Sequence, residues 1–320
     1  MTITPMSLGD LFDRWFKLIG KTWLRNLILA AIIMGPATLI LAMCMDVGFG
    51  QIAGLADFDA SDSDSGFNPA LVEFLAWFLL GLTLFFLGTV GAMVAVTMVG
   101  CAEMSGKPLS WQEALQSAFA MPFLRIIAQY LLLGIGFVLL AGIPYALIAG
   151  GIAAESVGLG LFGGLLLFVM IPAILYLSIN FAFLVPAVTW ENESVIGAFR
   201  RSWELVRGNW WRTFGILILM NLVVSFAVSI VMTPFSIIIL WDFFLNYFEM
   251  LGSLGGGEPD SAFAREMIAS YGFAFGIVNA LSSIAQVIVA PLYLVVMYFD
   301  LRARKGEFHQ SAEPAPAPIR

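Results

Sequence analysis

Six stretches of this chain contain no Asp, Glu, Lys or Arg: 26–45, 74–102, 126–154, 156–190, 213–241 and 267–299. Each is about 20 residues or longer, the length a helix needs to cross the hydrocarbon core of a bilayer. A soluble domain could not bury so much apolar surface, since 60% of the 320 residues are hydrophobic and only 12% are charged. In lipid the backbone must satisfy its own hydrogen bonds, which leaves helices or a closed barrel. Barrel strands would be about half as long and would alternate apolar with polar residues. The chain therefore reads as an all-α polytopic membrane protein with six transmembrane helices.

Six crossings put both ends of the chain and the 103–125 and 191–212 loops on one side. That side holds Arg14, Lys17, Lys21, Arg25, Lys107, Arg125, Arg200, Arg201, Arg207, Arg212, Arg302, Arg304, Lys305 and Arg320, against Arg265 alone on the other. The positive-inside rule then makes the N- and C-termini cytoplasmic in a bacterial inner membrane. The loops "DFDASDSDSG" and "GGGEPDSAFAREM" are expected outside. The opening "SLGDLFDRWFKLIGKTW" has mixed charge, unlike a cleavable leader, so the first span is expected to act as the targeting signal. Because charge is segregated by side, the net −7 does not call for a basic partner. Cys44 and Cys101 end consecutive spans on opposite faces, so they are expected unbridged and buried as small apolar residues.

Sliding the chain against itself places Ser7 on Ser194, Phe12 on Phe199, Arg14 on Arg201, Leu18 on Leu205, Trp23 on Trp210 and Arg25 on Arg212. This is an internal repeat. A fainter copy begins at Ser110, where Ala114, Leu115 and Phe119 stand in for Ala198, Phe199 and Trp203. The expected plan is a short cytoplasmic interfacial helix followed by a transmembrane hairpin. Its copies at about 7–100, 110–189 and 194–299 are parallel, because each unit crosses twice. They make one membrane domain, 1–308. The 46–73 loop, rich in Gly, Ser and Asp, is expected to be mobile, and the tail 309–320 disordered.

The interfacial helices concentrate cations and tryptophans. In "SVIGAFRRSWELVRGNWWRTFG", Ile196, Phe199, Trp203, Val206 and Trp210 recur at spacings of three and four as an apolar stripe, with Arg200, Arg201, Glu204 and Arg207 opposite. Leu8, Leu11, Trp15, Leu18 and Thr22 repeat the stripe, opposed by Asp13, Arg14, Lys17 and Lys21. Ser7 with Asp10 and Ser110 with Glu113 match the capping-box spacing, and Ser194 can cap the third helix. Such a helix suits the membrane plane, aromatic rings at headgroup level and cations toward anionic phosphates. It can serve only as an anchor and topology signal, or it can be a site for lipid headgroups or a soluble partner. The candidate residues are Arg14, Lys17, Arg200, Arg201, Trp203, Arg207, Trp210, Trp211 and Arg212.

"ENESVIGAFRRSWELVRGNWWRTFGILIL", "LGDLFDRWFKLIGKTW" and "LYLVVMYFDLRARKGE" resemble the bacterial glycerophosphoryl diester phosphodiesterase membrane domain family, from about Ser7 to Glu307. The resemblance implies the six-span fold. That family takes its name from proteins whose membrane region is fused to a soluble phosphodiesterase; no such catalytic domain is present in these 320 residues, so the activity is not implied.

The residues for hydrolytic chemistry are not assembled. The one histidine, His309, lies in the tail, so neither a histidine-bearing triad nor a zinc set can be built. "GLGLFGG" at 158–164 lacks the lysine of a phosphate loop and reads as close helix packing. The sequon at Asn192 falls on the cytoplasmic side and carries no glycan inference. Within the spans the strongly polar residues include Asn180, Asn221, Asn279, Gln286 and Gln129, among helices interrupted by Pro36, Pro144, Pro172, Pro186, Pro234 and Pro291. The amides either join helices, at roughly 0.6 kcal/mol each, or line a polar pocket between the repeats. The expectation is a non-enzymatic scaffold or lipid-associated module, without cofactor or nucleic-acid partner, whose basic belt meets anionic lipid or a soluble protein. The alternative is a passive transporter or lipid-translocating protein using the pocket of Asn180, Asn221, Asn279 and Gln286.

Overall fold

The computed structural model describes residues 4–50, 69–253 and 270–308. Of the expected 46–73 loop, 46–50 and 69–73 are helical ends of the first two spans; the expectations for 51–68, for "GGGEPDSAFAREM" with Arg265, and for the tail with His309 and Arg320 lie outside the described residues. Among the described residues the chain forms ten helices and no strand: α1 Leu8–Gly50, α2 Pro69–Met104, α3 Trp111–Ala118, α4 Met121–Ala153, α5 Val157–Asn180, α6 Leu184–Glu191, α7 Val195–Val206, α8 Trp210–Ile239, α9 Trp241–Ser253 and α10 Gly272–Arg304. Six runs are long and apolar enough to cross a membrane: α1, α2, α4, α5 with α6, α8 and α10. They coincide with the six charge-free stretches, as a multi-pass membrane protein requires.

Two expectations need correction. The first interfacial helix is not separate, because α1 runs unbroken for 43 residues from its cap into the span. In the aligned copy, α7 stops where Gly208 takes φ +88°, a left-handed conformation that glycine adopts without a steric penalty. Lys21 occupies the matching place in α1, and the helix continues. The fourth span, in turn, is not one helix. Pro186 has no N–H to donate to the carbonyl four residues earlier and its ring crowds that carbonyl, and here the chain breaks between Asn180 and Leu184. The groups freed there are recovered by buried Ser202 of α7. Its hydroxyl donates to the Asn180 carbonyl at 2.6 Å and accepts from the Phe183 N–H at 3.2 Å. By contrast, Pro36, Pro144, Pro172, Pro234 and Pro291 lie inside continuous helices. Helix α9, in a region read as external loop, is an addition: Asn246 donates to the Tyr271 hydroxyl at 2.8 Å, and Phe243 meets Phe275 edge-on at 5.0 Å.

The chain divides into two compact units. One comprises 23–96 and 221–290, and its helices meet through glycines. A Cβ on Gly81 would lie 2.8 Å from the Cys44 side chain, and one on Gly88 would lie 2.8 Å from Ala37, which seats α2 against α1. Gly276 likewise seats α10 against Ala42 of α1. Close backbone approach of this kind drives association where lipid supplies no hydrophobic force between helices. The other unit comprises residues up to 22, 97–220 and from 291 onward. It contains α3 to α7, the ends of α1, α2, α8 and α10, and almost all the cations. Cys44 and Cys101 are both buried and free, as expected.

Candidate functional site

The cation-bearing unit is organised by three serine caps. Asp10 N–H donates to Ser7 Oγ at 3.2 Å while Ser7 N–H donates to Asp10 Oδ2 at 2.9 Å. Ser110 and Glu113 form the same reciprocal box, which holds the Glu113 carboxyl below the usual range through the backbone and then the hydroxyl of Ser110. Ser194 Oγ accepts from Gly197 N–H at 3.0 Å. The residues four and eight places after each cap are buried in all three helices: Leu11 and Trp15, Ala114 and Ala118, Ala198 and Ser202.

That burial corrects the orientation of α7. Its inward face is Ala198, Ser202, Leu205 and Val206, whereas Ile196 of the expected stripe is 63% exposed and Phe199 and Trp203 are only half-buried. The physical reason is the close approach of α7 to the α5–α6 break, which the small Ala198 and Ser202 permit. Phe199 and Trp203 are left half-buried at the flank of α7, and Ile196, Arg200 and Arg207 are exposed. In α1 the expected stripe is buried at Leu11, Trp15, Leu18 and Thr22, while Leu8 is exposed.

The arginines separate into two kinds. Arg201 grips Glu191 through two hydrogen bonds, at 2.7 and 2.9 Å, and reaches Glu307 at 2.7 Å. Arg302 pairs with the same two carboxylates at 3.2 and 2.7 Å and lies over the Phe308 ring. Burial disfavours the charge on Arg201, but bonds and charges from Glu191 and Glu307 outweigh it and raise its pKa further. Arg212 donates to Asp300 Oδ2 at 2.6 Å, Arg304 to the same oxygen at 3.0 Å, and the Met6 N–H to Oδ1 at 2.7 Å. Both guanidinium groups also donate to the Met6 carbonyl, at 2.9 and 2.8 Å. Arg201 and Arg212 are thus internal braces. Arg200 and Arg207 have no side-chain partner among the described residues. Lys17 pairs only with Asp13 on an exposed face at 2.6 Å, and Arg14 is half-exposed.

An aromatic cluster lies beside α7. Trp203 meets Tyr176 edge-on at 5.8 Å and Phe181 at 6.0 Å, and Phe181 meets Phe199 edge-on at 5.0 Å. Trp210 stacks on Tyr176 and Phe214, while Trp211 projects at 77% exposure. The intramembrane amides fall into different settings. Asn180 is buried in this unit and donates to the Tyr176 carbonyl at 2.8 Å. Asn221, Asn279 and Gln286 belong to the other unit and are exposed there, the first two beside Ser225 and Ser283. Two of the four glycines of "GLGLFGG" pack α5 on α4, Gly163 against the Pro144 carbonyl and Gly160 against Gly151, while Gly158 and Gly164 face open space.

Sequence reasoning missed Asp300, Glu191, Glu307 and Ser202. The signal for Asp300 was available: it is a carboxylate ending an apolar run, followed closely by three cations.

No curated protein and no solved structure is a significant match to the chain. A family model does match, over residues 116–301, from within α3 to the last turn of α10. This is more than half of the protein, and the chain belongs to that family, described as a domain of unknown function (DUF7847).

Proposed function

We propose that this is a non-enzymatic protein of a bacterial inner membrane, built from three parallel repeats, whose basic, tryptophan-bearing cytoplasmic face holds anionic lipid headgroups and so serves as a membrane scaffold. The observation that carries the reading is the division of labour on α7. Arg201 is consumed internally, whereas Arg200 and Arg207 stay exposed, with Ile196 exposed and Phe199 and Trp203 half-buried on the same helix. Apolar rings beside unneutralised cations, next to helices of membrane length, match the chemistry of the headgroup layer. The repeat is supported by the common serine caps and the common buried offsets. Resemblance to the glycerophosphoryl diester phosphodiesterase membrane domain family agrees with this reading and adds no catalytic role.

Each exposed cation near an anionic surface contributes roughly 1 kcal/mol. Changing Arg200 and Arg207 together to Gln is therefore expected to weaken retention on anionic vesicles by about thirtyfold, at low salt, with little change on neutral vesicles. Equal retention by variant and parent would leave α7 as an anchor alone. Orientation has a separate test: a reporter active only in the cytoplasm should work when fused after Arg320 and fail when inserted at Ser63. The reverse pattern would overturn the assignment of sides.

A further inference from the structure

We infer that the groove between α4 and α5 seats one acyl chain of an anionic phospholipid; this rests on the headgroup reading of α7 and adds the tail to it. The groove holds about 500 Å³ and is walled by Leu132, Gly136 and Leu140 of α4, by Ile174 and Leu177 of α5, and by Phe181 just past the end of α5. Ser178 is the one polar side chain in its lining, so a polar solute would find almost nothing to bond. Gly136 leaves the slot open: a Cβ there would meet nothing within 4 Å. Leu132, Gly136 and Leu140 follow one another at four-residue spacing, a row about 12 Å long.

The surroundings identify the occupant. The most apolar windows of the third and fourth spans are each only 11% buried, and Ile135, Val138, Leu139, Phe168 and Ile171 are all more than half exposed. A slot opening within such a surface is filled from the hydrocarbon phase and not from water. A helix of about 10 Å diameter and 12 Å length would displace roughly 900 Å³, more than the slot holds, so a single chain is the better fit. The groove also has a polar end. Phe181 closes it and meets Phe199 edge-on at 5.0 Å. Arg200 follows Phe199 in α7 and is exposed. Apolar slot, aromatic collar and free cation succeed one another as acyl chain, interface and anionic headgroup do in a phospholipid.

The test uses the full chain in vesicles of phosphatidylglycerol carrying a photoreactive group near the methyl end of one acyl chain, with labelled positions mapped by peptide mass spectrometry. Labelling is expected to concentrate on the groove side of 132–140 and 174–181, several-fold above the back-face positions Leu131, Ile135 and Val138. Gly136→Phe should lower groove labelling about tenfold, and Ile174→Phe, which closes the slot from α5, should do the same. Gly142→Phe, at an open glycine outside the lining, should leave it unchanged. Uniform labelling around the helices, or groove labelling that survives both Gly136→Phe and Ile174→Phe, would overturn the proposal. Vesicle retention of the Arg200 and Arg207 double variant separates the two ideas. Anionic preference with uniform tail labelling removes the groove alone, whereas groove labelling without anionic preference removes the headgroup reading on which the lipid's charge rests.

Discussion

Asp300→Ala is expected to destabilise the detergent-purified protein by about 3 kcal/mol, the lower end of the range for breaking a buried ion pair. The lower end applies because Arg212 and Arg304, at 27% and 25% side-chain exposure, retain some water while Asp300 has none. Without the carboxylate, both guanidinium groups converge on the Met6 carbonyl with their charge uncompensated, and the Met6 N–H loses its acceptor. Asp300→Asn keeps an acceptor oxygen and should lose less. Thermal melting followed by helical circular dichroism should show a drop on the order of 10 °C for the alanine variant. Removing Arg212 as well should cost less than the sum of the single losses, because the two residues share one interaction. An unchanged midpoint for Asp300→Ala would mean that the cluster contributes no stability.

Trp15→Ala is expected to cost about 3–5 kcal/mol, the range for emptying an aromatic-sized site in a packed core. Trp15 is 1% exposed and packs between Phe12 and Phe16, at ring separations of 6.2 and 4.8 Å. The positions eight residues after the other caps are Ala118 and Ser202, both fully buried, so the same offset from a cap is filled in different ways. Trp15→Ser, which copies the residue of α7, should therefore be no better tolerated than alanine. In α7 the serine is useful because a helix break lies beside it to receive its hydroxyl. Melting of both variants tests this, and a loss below 1 kcal/mol would show that neighbouring side chains collapse into the space.

Much of the architecture was readable because it depends on local rules. Apolar runs between charges gave the spans, since a bilayer imposes a minimum length whatever the helices pack against. The caps at Ser7, Ser110 and Ser194 were readable for a similar reason, because a cap involves residues only three places apart. Helix breaks were harder. Six prolines looked alike in the sequence, but only the one at 186 accompanies a break, where Ser202 stands ready to satisfy the exposed backbone.

The candidate site was legible in composition but not in partnership. Arg200 and Arg201 are neighbours in sequence, yet one is exposed and the other is held by Glu191 and Glu307. The rotation of α7 decided between them. A periodic apolar pattern marks the large hydrophobic residues of a helix, whereas close packing selects the small ones, so the stripe through Ile196 and Trp203 pointed away from the core face through Ala198 and Ser202. Helical class, the six apolar stretches of membrane length and the distribution of charge along the chain were determined by the sequence alone, because each follows from properties of a single segment. Only the tertiary structure decided which cations remain exposed, because Arg212 meets Asp300, and Met6 meets both, across separations of 88 to 294 residues. No local pattern encodes such a meeting.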